Sequence, residues 1–415
     1  MRRTTYTPWA ATGLVACAIA LPGALFAQDA PNLRFGVTTG FVASDNRGLD
    51  DPSLGSTFEA FSRVDFGVTF ATPSQQLEVT GDITLRGLNG AEEGSISDGL
   101  VDPNLRLSYG RQARNAQLSF DVFIQQSETN TLVAELDGSD VSLINDDATR
   151  LRYGFDTELE LGRQSPFGVT FSTGFTALEY SDTTSTTLTD QDRYRVGARF
   201  RFDINPALQA ILNARLSTFE DEGTAEGRRD TVSLDGSLRQ TLPAGSFGLN
   251  ANITSVEEGE RYTLTVERSI ERPLWEVGGS LGLAQSLDGD VFPIGTLDVT
   301  HTLQNGSLSL DLSRSIRSGI NDNEQEATSV SVTYAQQLND VSSFNMGLSY
   351  FENDPTDTTG TSSLGTISLG YQRTLAPGWQ MNVGINRRIN ETSAGIKARD
   401  NNLSFSVRRD LTARR

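Results

Sequence analysis

The chain has 415 residues, a formal charge of −19 and a hydrophobic fraction of 37%. Beyond residue 30 no apolar run approaches the ~20 residues of a membrane helix, which excludes a helical membrane protein. The acidic balance argues against nucleic acid, or an anionic lipid surface, as the partner.

Arg2 and Arg3 precede an apolar segment from Trp9 to Phe26, and Ala27 stands before the polar "QDAPN". This is the layout of a cleaved signal peptide over 1–27, with a mature chain from about Gln28. "LVAC", Leu14 to Cys17, has the form of a lipobox, but the apolar run continues through "AIALPGALF" where a lipoprotein turns polar. Arg2 and Arg3 are followed by "TTY" rather than an apolar pair, which does not fit a twin-arginine route. Cys17 is the only cysteine, so the mature chain has no thiol, and a large closed sheet is one way to hold an exported protein that lacks disulfides.

From there a single texture runs to the end, with no linker or charge block to divide 28–415 into domains. Apolar residues alternate with polar ones in short stretches bounded by turn residues. Strands are expected near 32–43, 56–71, 76–87, 103–111, 116–126, 150–162, 167–180, 192–203, 208–218 and 230–241. They continue near 246–255, 261–270, 274–285, 293–303, 307–317, 328–337, 343–351, 364–374, 379–390 and 402–411. The connections alternate as well. "TPSQ", "RQARN", "LPAG", "LQNG" and "LAPG" are short, whereas those between are mostly longer and acidic, such as "DNRGLDDPSLG" and the stretch 127–148.

A soluble sandwich can alternate, but nothing in it forces every second loop to be short. A transmembrane barrel imposes the whole set: an apolar outer face, a polar lumen, strands of about 10 residues, short periplasmic turns and long extracellular loops. The expected fold is all-β, a closed antiparallel transmembrane barrel of about 20 strands. Near the short turns Arg111, Arg163, Arg268, His301, Arg373 and Arg409 fall in register with the outward apolar residues. Arg can lay its stem on hydrocarbon and reach phosphate, and Tyr109, Tyr371, Trp275 and Trp379 suit the same depth, so these form an expected periplasmic girdle.

The signal peptide, the alternating strands, the turn–loop asymmetry and the terminal "NNLSFSVRRDL" together resemble a Gram-negative outer-membrane β-barrel of the porin-like type. The resemblance is one of architecture and extends over residues 28–415. It implies the outer membrane as location, with lipid, lipopolysaccharide and the barrel-assembly machinery as partners, and small polar solutes or polysaccharide as cargo. Such barrels commonly end on an aromatic residue; here the last strand carries Leu403, Phe405, Val407, Arg409 and Leu411 and runs on through "TARR".

Inward parity marks the pore-lining candidates: Arg150, Arg152, Asp156, Glu158 and Glu160 on one strand, Arg193, Arg195, Arg199 and Arg201 on another. Opposed ladders of this kind set a transverse field across a water-filled lumen. The long connection 127–148 is a candidate constriction, with Glu135, Asp137 and Asp140 in it, or else a solvated surface loop. The few residues before the first strand leave no room for an N-terminal plug. The single histidine, His301, has no catalytic partner in view, and no phosphate loop, regular calcium loop or metal-ligand spacing is present. No enzyme activity, cofactor or metal is therefore expected. Three functions follow: a porin-like channel for small polar solutes, an exopolysaccharide export conduit with Phe61, Phe123 and Phe351 in its lumen, or a non-conducting structural or adhesive barrel.

Overall fold

The computed structural model describes residues 31–413 apart from 91–97, 130–131, 137–139, 145–147, 183–187, 222–226, 319–323 and 356–359. The expected signal peptide and Cys17 lie outside the described residues. The described chain carries no helix. Its strands are β1 (Asn32–Ser44), β2 (Thr57–Thr72), β3 (Gln75–Gly90), β4 (Gly99–Gln112), β5 (Ala116–Thr129), β6 (Leu132–Leu136), β7 (Asp140–Ile144) and β8 (Ala148–Leu161). Then follow β9 (Phe167–Ser181), β10 (Gln191–Asn205), β11 (Leu208–Asp221), β12 (Arg228–Leu242), β13 (Gly245–Val256), β14 (Gly259–Arg272) and β15 (Trp275–Gln285). The last are β16 (Val291–Leu303), β17 (Gly306–Ser318), β18 (Glu324–Asn339), β19 (Ser342–Pro355), β20 (Ser362–Ala376), β21 (Trp379–Glu391) and β22 (Lys397–Ala413).

All but β6 and β7 form one 20-stranded sheet in which each strand pairs antiparallel with its neighbours in the chain, β5 pairing with β8. The first strand closes the ring by pairing with the last, from Leu33↔Ala413 to Ser44↔Asn402. Closure satisfies every strand edge, the condition a sheet must meet in hydrocarbon. β6 and β7 form a separate two-stranded hairpin within the connection from β5 to β8.

The alternation is used twice. Tyr194, Val196 and Phe202 on β10 point out and are 44%, 57% and 42% exposed, while Arg193, Arg195, Arg199 and Arg201 between them point in. The same division repeats around the ring, with Phe247, Leu249 and Ile253 outward on β13 and Leu264 and Val266 outward on β14. Large apolar side chains are therefore exposed on the outside, and the polar ones line the interior. Such a molecule has an apolar belt where a soluble protein has a core.

The two ends differ. Where β1 starts and β22 ends, the connections are tight: 73–74, 113–115, 162–166, 206–207, 243–244, 273–274, 304–305, 340–341 and 377–378. At the opposite end they are mostly longer, including 45–56, 91–98, 130–147 and 182–190. Shorter there are Glu257–Glu258, a tight turn joining β13 to β14, and five-residue connections such as 286–290 and 392–396.

Candidate functional site: the lumen and its mouth

The inward face of each strand meets water rather than another sheet, so charged residues are retained there only with partners or solvent. The candidates of β8 and β10 are separated by β9, which offers no charge opposite them. They meet across it. Arg195 Nη2 donates to Asp156 Oδ1 at 2.9 Å, passing over Gly174 of β9, where a Cβ would collide with that carboxylate oxygen. The same device recurs at the seam. Arg408 of β22 donates to both carboxylate oxygens of Asp65 on β2, at 2.6 and 2.9 Å, across Gly36 of β1.

The rest of the basic ladder divides by role. Arg201 donates to the carbonyl oxygens of Gly162, Arg163 and Ser165 at 2.8, 3.1 and 3.1 Å, so it closes the turn below β8. Arg152 lies 5.0 Å over the ring of Phe123, and Arg193 lies 5.9 Å from that of Phe219. Glu160 pairs with Arg163 at 3.1 Å. Arg150 is half-buried near the loop end of β8, while Glu158 and Arg199 are exposed to the lumen.

At the loop end a second constellation stands that parity alone does not reveal. The guanidinium of Arg86 reaches Asp102 and Glu128 and lies 3.5 Å from Glu59, which also holds Arg47. Arg388 donates to Asp400 at 2.8 and 3.1 Å and to the Arg47 carbonyl at 2.7 Å, and the fully buried Asp400 also accepts from Ser44. Arg47, Arg86, Asp102, Glu128 and Arg388 rim a cavity of about 410 Å³ that Arg63, Asp82 and Gln125 also line. Glu59, Asp102 and Asp400 fall on the inward parity of their strands and Glu128 on the opposite one, and which strand brings each its partner depends on a register fixed only by the closed sheet.

The hairpin of β6 and β7 starts from this rim. Cα atoms of β7 come within 8 Å of Cα atoms in β17 and β20, strands on the far side of the ring from the hairpin's root at β5 and β8. Glu135 belongs to β6 and Asp140 opens β7, whereas Asp137 lies outside the described residues. The sequence signal for this hairpin was present: "DGS" between two short alternating stretches is a hairpin turn pattern.

The girdle candidates stand at the tight-turn end. Arg409 lies 5.2 Å over Trp379 and donates to the Pro377 carbonyl at 2.9 Å; Arg268 donates to the Ser246 carbonyl at 3.2 Å. His301 stacks on Trp275, ring centres 3.9 Å apart, with its Nδ1 2.9 Å from the Leu274 carbonyl. Arg111 and Arg373 are exposed at the ends of β4 and β20. Arg163 differs: it sits in the turn 162–166 and is drawn back to Glu160.

No known protein family matches the sequence, nor does any curated protein. Solved structures do resemble it in shape. The ferric-catecholate import receptor Fiu of E. coli K12 superposes with a TM-score of 0.58 at 8% identity, over 92% of this chain and 82% of that one. The siderophore receptor PirA of Pseudomonas aeruginosa gives 0.53 at 10% identity, over 93% and 81%. OccK2 (OpdF) of P. aeruginosa, solved with glucuronate, gives 0.46 at 13% identity over 92% and 98%, too loose a fit to carry an inference. At such identities the shared property is the fold. The chain has the fold of the Gram-negative outer-membrane β-barrels, a closed antiparallel sheet with its apolar face turned outward.

Proposed function

We propose that the protein is a channel that passes small polar solutes across the outer membrane with moderate charge selectivity. The observation that carries this reading is the predominantly polar inner wall of a 20-stranded ring. Barrels of 16–18 strands already leave an aqueous passage, and here Arg199 and Glu158 are exposed within it. The hairpin of β6 and β7 narrows the mouth and acts as the constriction, with Glu135, Asp137 and Asp140 supplying its charge. The long loops face outside, the tight turns face the periplasm, and the signal over 1–27 is removed on export.

The pore prefers cations in low salt. The acidic connections give the mouth a negative potential that extends about 10 Å at 0.1 M salt. The arginines of β10 oppose it deeper in, so the preference is modest and fades as salt screens it. Reversal potentials across a KCl gradient test this directly. The triple variant E135Q/D137N/D140N is expected to lose most of the preference. Anion selectivity in the unmodified protein would mean that the arginine ladder governs the narrowest point.

A further inference from the structure

The inner wall is not uniform around the ring. Among the described residues, the inward positions of β18, β19 and β20 carry no Asp, Glu, Lys or Arg, and β21 carries one, Arg388, which is taken up at the mouth by Asp400. Charge resumes on β22 with Arg408 and Asp410, and the arginines of β10 stand diametrically across the ring from β20. Most of the uncharged arc is amide, hydroxyl and glycine, with Ala327, Ala335, Phe351 and Leu364 among them.

A cavity of about 350 Å³ lies on this arc, lined by Asn345, Ser368, Gln372, Asn382, Asn386 and Ser404 among others. Its amides are largely uncommitted. Gln372 donates to Gln380 at 3.2 Å, but Asn345 and Asn382 make no side-chain hydrogen bond to another described residue, and the buried Oδ1 of Asn386 has no partner. Gly370 sustains the hollow, because a Cβ there would collide with the amide of Asn345.

We propose that the inner face of β19–β21 is a docking track for uncharged carbohydrate, a proposal that rests on the channel reading and assigns that channel its solute class. A sugar entering a constricted lumen gives up water at many hydroxyl groups, each both donor and acceptor. A side-chain amide offers two donors and a carbonyl oxygen, so a row of them replaces that water without selecting for charge. An anionic or cationic solute would be served by fixed countercharge, which this arc lacks. Many weak contacts in series also suit passage, since a solute must be held well enough to enter and loosely enough to leave. Phe351, inward on β19 above the amides, offers a flat apolar surface to a pyranose ring.

The test uses the full-length mature barrel in a planar bilayer, with maltohexaose as the probe and polyethylene glycol of similar hydrodynamic size as the control. Maltohexaose is expected to interrupt the current in discrete events, and the glycol is not. The variant N345A/N382A/N386A is expected to shorten those events roughly tenfold, as loss of three hydrogen-bonding groups implies, while the current in KCl stays close to that of the unmodified barrel. A single N382L substitution, close to isosteric but without donor or acceptor, is expected to shorten them as well. Equal interruption by sugar and glycol, or events unchanged in both variants, overturns the proposal. If the unmodified barrel carries no current, the channel reading alone fails. The track is then judged by maltohexaose binding to the detergent-solubilised barrel, present and weakened by the variants if the proposal holds, absent if it does not.

Discussion

Glycine at position 36 shows how a single missing side chain organises a wall. Arg408 and Asp65 sit on strands that are not neighbours, and their bidentate contact forms only because β1 presents no Cβ between them. The pair is partly solvated, its side chains 31% and 28% exposed, so its net contribution is set nearer the surface than the buried limit. G36A should therefore cost about 1 kcal/mol in the urea unfolding of the refolded barrel. D65A should cost about the same, and the double variant G36A/D65A no more than either alone, because the first substitution already removes what the second would. Additive losses would show that Gly36 acts through its own backbone and not through the ion pair.

Among the elements, the asymmetry of the connections carries the proposed orientation of the barrel. The tight turns carry the aromatic and arginine residues that suit a headgroup layer, with Trp379 under Arg409 and Trp275 against His301. On the proposed topology the long connections face outside. A cysteine at position 139 (S139C) should react with an impermeant maleimide on whole cells, and one at position 376 (A376C) only after the outer membrane is broken; carrying C17A in both variants removes the chain's single native thiol. Reversed labelling would invert both the girdle and the mouth.

The elements were the most legible part of the sequence. Each of the expected strands has its counterpart in the sheet, because the outward apolar and inward polar demands of a barrel are written residue by residue. The ends were less legible at the loop side: the strand expected at 328–337 runs from Glu324 to Asn339, and that expected at 103–111 from Gly99 to Gln112. Beyond the apolar belt the outer face is wet, so Glu326 replaces an apolar residue while the backbone ladder with β17 continues. The pore-lining candidates of β8 and β10 could be placed on the inner face from parity. Their pairing over Gly174, the Arg86 cluster and the neutral arc of β18–β20 could not, since these depend on which strands become neighbours when the ring closes.

At the scale of the whole molecule, stability comes from a ring of backbone hydrogen bonds without a free edge, and from an apolar belt that needs lipid or detergent around it. A closed sheet of this kind resists SDS until it is heated. Boiled and unboiled samples should migrate differently in a detergent gel, and circular dichroism should report strand and little helix. Identical mobility together with a helical spectrum would remove the fold.

The central claim is that the ring encloses an open, hydrophilic passage narrowed by one hairpin. Single-channel recording tests it most directly, using protein whose mobility shift on heating shows it to be folded. Insertion into a planar bilayer in KCl should give discrete current steps of uniform size, and deletion of 132–144 should give larger ones. A folded, heat-modifiable barrel that carries no current, with or without the hairpin, would contradict the account and leave a structural or adhesive role in its place.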